Sequence, residues 1–258
     1  WILDNVEGAR AAADNDELMF GTVDTWVLYK LTGGATYATD ATNASRTQLF
    51  DIHNQCWSPE LCTLFNIPMS MLPKVLDSAD DYGHVSQAID PNSPPIVAVI
   101  GDQQAALVGQ RCFTAGSSKS TFGTGSFLMV NTGNQATSPA NGLLTTVAYR
   151  LNGTAYYAIE GSIFMAGASV QWLRDSLQII DKAPQSQTYA AQAKPDHQVI
   201  LVPAFTGLGA PHWRPDARAT LSGMTRDTGR AELCAATLEA SAFQTKDLLE
   251  AIAELGQG

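Results

Sequence analysis

The sequence predicts a two-lobed α/β protein. Three observations carry that prediction: an apolar run that stops at a carboxylate and gives way to a helix, a central block of strand-like segments, and a return to helical periodicity after it. The apolar run, 96–100, is bounded by proline and Gly101 and reads as a buried strand, with 103–110 as a helix ending near Arg111. The central block pairs 118–123 with 126–132 across Gly123-Thr124-Gly125, and 142–149 with 155–160 across Asn152-Gly153, as an antiparallel meander. From Gly161 the chain reads as helical through Arg174. A buried strand at 199–203, a Gly/Pro-rich loop at 206–211 and a long helix from Ala231 follow. The two lobes join after the Asp102 helix, near residue 108.

Earlier in the chain, 16–31 has helical apolar spacing, with Thr22 or Asp24 as its cap and Gly33-Gly34 as its end. The small polar stretch 39–47 reads as a loop lying against something. Ser58-Pro59 opens a short helix, and 67–73 is an irregular connection punctuated by proline.

Composition narrows the function classes. The chain has 258 residues, 45% of them hydrophobic, enough to bury one large core or two modest ones. Its 15 basic against 25 acidic residues give a formal charge of −10, with no block of like charge, which disfavours nucleic acid and anionic membrane as partners. Cys56, Cys62, Cys112 and Cys234 are not spaced as zinc ligands, and a chain of this size needs no disulfide staples. They read as reduced core thiols of a cytoplasmic protein. No apolar stretch approaches the roughly 20 residues that span a bilayer, so no membrane insertion is expected. The chain starts at Trp1 rather than Met, and its last helical pattern is cut off by Gly256-Gln257-Gly258, which reads as an internal piece of a longer protein.

Asp102 is the most informative residue. A carboxylate at a strand's end followed by a Gly/Thr hairpin suits a phosphotransferase, pairing a general base with a backbone cradle for phosphate oxygens. Asp at a strand-helix junction is also a common helix cap, so both readings stand. Thr124 between two glycines fits a phosphate contact or a plain turn. Phe127 fits a site wall or core, Gly167 a ligand approach or packing, and Gln103 and Gln171 a ligand contact or an exposed helix face. His53, His84, His197 and His212 receive no catalytic role.

Longer motifs narrow the choice: Trp1-Ile2-Leu3-Asp4-Asn5-Val6, Phe20-Gly21-Thr22-Val23-Asp24-Thr25-Trp26, Thr42-Asn43-Ala44-Ser45-Arg46-Thr47, Gly101-Asp102-Gln103-Gln104-Ala105-Ala106-Leu107, Thr121-Phe122-Gly123-Thr124-Gly125, Phe164-Met165-Ala166-Gly167-Ala168-Ser169 and Pro203-Ala204-Phe205-Thr206-Gly207-Leu208-Gly209-Ala210-Pro211. With 219–239 added, the chain resembles the glycerol kinases, a branch of the FGGY carbohydrate kinases. The resemblance implies a partial actin-like, ribonuclease-H-like two-domain sugar kinase fold. Residues 1–108 would be the C-terminal part of the first, substrate-side domain, and 109–258 the N-terminal part of the second, nucleotide-side domain.

It also implies ATP-dependent phosphorylation of glycerol to sn-glycerol 3-phosphate in a cytoplasmic homo-oligomer. Asp102 would be the general base and would face Mg2+ through water, Gln103 would hydrogen-bond a glycerol hydroxyl, and Phe127 would lie against the glycerol carbons. Thr124, Gly167 and Gln171 would contact the nucleotide, the last two at a helix start whose free amides and dipole favour anions. The family's other phosphate loop, the rest of its glycerol site and its adenine segment would lie outside 1–258, so this piece by itself is expected to turn over little or no substrate. Inhibition by fructose bisphosphate, known for some members, uses a Gly and an Arg in a loop that here, at 88–94, has neither, and is not expected. Two alternatives remain open: a pentulose kinase such as a xylulokinase, which usually differs at 43–47 and 164–167, and a non-catalytic actin-like nucleotide-binding module.

Overall fold

The computed structural model describes residues 1–139 and 141–255. The chain divides into a first unit of Trp1–Ser117, Asn131–Thr137 and Thr145–Ala158, and a second of Ser118–Val130, Ser138–Leu144 and the chain from Ile159 onward. In the first unit, helices α1 (Ile2–Asn5) and α2 (Ala9–Asp14) precede α3 (Val23–Leu31). Asp24 in the first turn of α3 and Lys30 in its last complement the helix dipole, and Gly33 and Gly34 leave the helix with φ of 66° and 89°. The helix begins at Val23 with Thr22 at the N-cap, as expected, whereas the first part of the helical spacing read over 16–31 forms no helix, Asp16 taking a φ of 60°.

Strand β1 (Ala38–Asp40) runs directly into the one-turn helix α4 (Ala41–Ala44). The expected loop at 39–47 is corrected by this: Thr39, Asp40, Ala41, Thr42 and Ala44 are all buried, and Asp40 caps the turn. Strands β2 (Phe50–Asp51) and β3 (Cys56–Trp57) form a short antiparallel pair. Cys56 is exposed on β3, which corrects the expectation of a core thiol there. Helix α5 (Pro59–Leu64) starts as expected, with Pro59 in its first turn and Ser58 Oγ accepting from the Leu61 N–H at 3.2 Å. Strand β4 (Lys74–Leu76) then pairs with β1 in parallel, Ala38 opposite Lys74. Ala41, Ala44 and Phe50 pack with Val147 and Tyr157 into one core.

The run 96–100 is not a buried strand. Val97 is 64% exposed, and the segment meets 78–84 through isolated bridges at Ala79–Ala98 and His84–Pro95 and through backbone hydrogen bonds such as that of the Ile96 N–H to the Gly83 carbonyl at 2.7 Å, rather than through a regular ladder. Pro94 and Pro95 have no N–H to donate, which denies the segment a regular ladder. It remains extended up to α6 (Asp102–Gly109).

Strands β5 (Ser118–Phe122), β6 (Ser126–Gly133), β7 (Leu144–Leu151) and β8 (Thr154–Ile163) form one sheet in the order β5-β6-β8-β7. Strands β5 and β6 are antiparallel, Phe122 opposite Ser126, and Asn152 and Gly153 take φ of 50° and 74° in the tight turn between β7 and β8. The order corrects the expected meander, since β8 rather than β7 neighbours β6. Every position of β8 from Tyr157 to Ile163 is buried, which suits a central lane with a strand on either side.

In the second unit β8 continues to Ile163, so the helix expected from Gly161 starts instead at Gly167, as α7 (Gly167–Asp175). Helix α8 (Gln185–Ala190), the antiparallel pair β9 (Ile200–Val202) and β10 (Thr220–Ser222), and the long α9 (Arg230–Leu255) complete it. Small Ala236 and Ala240 on α9 let it pack closely on Val199 and Leu201. Leu248 and Ala251 of α9 join Leu128, Leu143, Ile159 and Ile163 in a second core. The expected stop at Gly256-Gln257-Gly258 lies outside the described residues. Among the described residues, no helix is long and apolar enough to cross a membrane.

One ion pair fixes the β7–β8 turn within the first unit. Arg150 Nε lies 2.6 Å from Asp77 Oδ1, with the two side chains 10% and 15% exposed, and Asp77 Oδ2 accepts from the Gly153 N–H at 2.8 Å. Arg150 also donates to the Val75 carbonyl at 3.1 Å. Removing one partner of a largely buried pair leaves an uncompensated charge. Arg150→Ala is therefore expected to lower the unfolding free energy by about 3 kcal/mol in a urea titration.

Candidate active site

Asp102 is the first residue of α6, and the N-cap is Gly101. The capping reading of Asp102 is thereby overturned: the residue already has helical geometry, so its side chain is not at the cap position. Its carboxylate is exposed; Oδ1 accepts from the Gln103 N–H at 2.8 Å, and Gln103 Nε2 lies 3.4 Å from Oδ2. A carboxylate carrying few protein hydrogen bonds keeps lone pairs for a substrate hydroxyl or a hydrated cation.

The anchor of this helix start was not foreseen in the sequence. Asp40 is fully buried, and its two oxygens accept from the Thr42 N–H (3.1 Å), Thr42 Oγ1 (2.8 Å), the Asn43 N–H (2.9 Å), Asn43 Nδ2 (2.8 Å) and Ser78 Oγ (2.7 Å). Thr42 Oγ1 in turn accepts from the Gly101 N–H at 2.9 Å. Ser78 extends the network, its N–H donating to the Arg150 carbonyl at 2.8 Å and its Oγ accepting from the Arg150 N–H at 3.2 Å. An Asp just before a helical turn is a legible cap signal. The 59-residue separation of Thr42 and Gly101, however, leaves no local mark.

Position 101 also has little room for a side chain. A Cβ at position 101 would lie 2.7 Å from Gln104 Oε1. Gln104 is buried, and its Nε2 lies 3.4 Å from both Thr146 Oγ1 and the Val147 carbonyl.

The remaining expected residues belong to the second unit. Thr124 is exposed at the tip of the β5–β6 hairpin, Phe127 is half-buried on β6, and Gln171 is exposed on α7 one turn beyond Gly167. The structure brings Thr124 and Gly167 together. The Gly167 N–H donates to the Gly123 carbonyl at 2.9 Å, and the Thr124 carbonyl accepts from the Ala166 and Ala168 N–H groups at 2.9 and 3.0 Å. The expected free amides at the start of α7 are therefore not free: the hairpin's own carbonyls occupy them. Glycine is required at the joint, since a Cβ on Gly167 would sit 2.5 Å from the Gly123 oxygen and one on Gly125 2.3 Å from the Ile163 oxygen.

Two cavities lie elsewhere. One of about 360 Å³ is lined by Met19, Phe20, Trp26 and Tyr37 among others, and one of about 500 Å³ by Trp1, Leu18, Phe65 and Met71 among others. Neither touches the six expected residues. Burial raises the Tyr37 hydroxyl to about 12, although its oxygen donates to the Phe20 carbonyl at 2.6 Å. No group of three or more His, Cys, Asp or Glu able to hold a metal occurs among the described residues.

Two outcomes follow. Gly167→Ala should loosen the hairpin from α7, seen as faster amide exchange at Ala166 and Ala168 with the rest of the second unit unchanged. Burial pushes the Asp40 carboxyl above its ordinary value against the pull of the Asn43, Ser78 and Thr42 hydrogen bonds. A raised folded value gives a contribution to stability that is full below the unfolded pKa and is lost as pH rises through the folded one. The stability of the protein relative to Asp40→Asn, measured by thermal melts from about pH 4 to pH 7, should therefore fall as pH rises.

Comparison with known proteins places this geometry. Residues 1–109 match the N-terminal domain, and 119–257 the C-terminal domain, of the FGGY family of carbohydrate kinases. A glycerol kinase of Alteromonas mediterranea is 60% identical over 252 residues, 98% of this chain and 51% of that protein, and one of Pseudomonas aeruginosa is 55% identical over 256 residues, 99% and 52%. The crystal structure of Plasmodium falciparum glycerol kinase with ADP is 39% identical, with a TM-score of 0.88 over 98% of this chain and 51% of its own. A xylulose kinase from Rhodospirillum rubrum, 21% identical with a TM-score of 0.80 over 99% of this chain and 51% of its own, shares the fold alone. The chain spans about half the length of the curated relatives it matches. With a matching domain on each side of the α6–β5 connection, this chain belongs to the FGGY family of carbohydrate kinases.

Proposed function

We propose that the full-length protein transfers the γ-phosphate of ATP to glycerol, forming sn-glycerol 3-phosphate, with Asp102 as the general base. The observation that carries the reading is the identity of 54–60% over nearly the whole chain to relatives called glycerol kinases, against 19–22% to the xylulose kinases of the same fold. Residues 1–108 serve the substrate-side domain and 109–258 the nucleotide-side domain. Gln103 donates to or accepts from a glycerol hydroxyl beside Asp102, and Phe127 offers an apolar face to the glycerol carbons. The ADP held by the Plasmodium relative supports ATP as the donor. Thr124 contacts its phosphates with the hairpin-tip hydroxyl, flanked by Gly167 and Gln171.

Mg2+ fits this arrangement. It keeps most of its waters and needs only a carboxylate or two beyond the phosphates, which the exposed Asp102 supplies through water. When bound, the ion would neutralise charge on the transferring phosphate. Asp102 takes the proton of the attacking hydroxyl, and a helix start fixed to buried groups keeps it at that place. The cytoplasm as compartment rests on four free thiols, three of them buried, and assembly as a homo-oligomer rests on the family likeness.

The test is ATP consumption by the full-length protein in a coupled assay, with glycerol and D-xylulose compared. Glycerol should be the better substrate by kcat/KM, and Asp102→Asn should lower kcat on the order of 10²–10⁴-fold. The 258-residue chain alone should turn over little or none. Preference for xylulose, or an Asp102→Asn variant of full activity, would defeat the reading.

A further inference from the structure

We infer that Thr42 is a positioning residue for Asp102, holding the start of α6 through the Gly101 amide; this rests on the kinase reading above. Thr42 is fully buried, so it touches solvent or substrate nowhere, and it lies one step from the exposed carboxylate through Gly101. A threonine hydroxyl has one proton to give. Asp40, acceptor-only when ionised, takes that proton, with Thr42 Oγ1 at 2.8 Å from both carboxylate oxygens. The lone pairs of Thr42 Oγ1 then point away from Asp40, and the Gly101 N–H meets them at 2.9 Å.

The grip on Gly101 is the hydrogen bond of its amide to Thr42 Oγ1. Asp102 follows directly in the chain and has little side-chain restraint of its own beyond Gln103. Its placement is inherited from Gly101. The donor to Asp40 that most directly reaches the reaction is thus Thr42, whereas Ser78 and Asn43 serve the fold around it.

A positioning role predicts a specific split. In the full-length protein, Thr42→Val keeps the shape and removes the acceptor, and it should lower kcat on the order of 10–100-fold with the KM for glycerol within about twofold, because misplacement of a catalytic group costs rate before it costs binding. Thr42→Ser, which keeps the hydroxyl, should recover most of the loss. Amide exchange at Gly101 should be faster in Thr42→Val and close to normal in Thr42→Ser. If Thr42→Val fails to fold by circular dichroism, Thr42→Ala replaces it, with the same expected split.

Full kcat in Thr42→Val, or a serine variant as slow as the valine one, overturns the inference. Unchanged exchange at Gly101 also overturns it. Absence of glycerol turnover in the unsubstituted protein strikes the kinase reading instead, and the exchange measurement alone then judges the grip of Thr42 on Gly101.

Discussion

A carboxylate without water is the constraint on which the first unit depends. Moving an ionised carboxylate out of water costs several kcal/mol even after relaxation, and only a full set of donors offsets it. Asp40 collects its donors from the turn that follows it and from Ser78, 38 residues away, and passes one bond on to Gly101 through Thr42. Hydrogen bonds to charged groups contribute roughly 1.5–3 kcal/mol each, so the segments that supply them are drawn to one point. β1, α4, the residues after β4, the end of β7 and the start of α6 all join this network.

The second unit solves a different problem, that of bringing a hairpin tip onto a helix start. Its means is the absence of side chains. Gly125 and Gly167 let backbone meet backbone, and the amides that open α7 are spent on hairpin carbonyls. The dipole of α7 still points its positive end at this joint, beside the exposed Thr124 of the hairpin.

Much of this was legible in the residues. The β5–β6 hairpin, the Asn152-Gly153 turn, the Ser58-Pro59 helix start and the long final helix each have a local signal, and each appears where the signal lies. The long motifs identified the family, because several in order are far more specific than any one glycine pattern. What failed were inferences from local apolarity or polarity. Run 96–100 is apolar yet half-exposed, and 39–47 is polar yet buried, because each is decided by partners distant in the chain. The capping role of Asp102 failed for a one-residue reason, since helices are read to within a residue or two and here Gly101 took the cap. The free amides of α7 could not be judged from Gly167 alone, because their acceptors lie in another hairpin.

The Asp40 network also has a consequence for descent. Its hydroxyl, amides and carboxylate share one arrangement of protons, so removing the polar group of a member leaves its neighbour buried without a partner. A side chain at position 101 would in addition require Gln104 Oε1 to move. Loss of the polar group at position 40, 42 or 78 is therefore expected to be tolerated only where the neighbour it leaves unpaired changes with it.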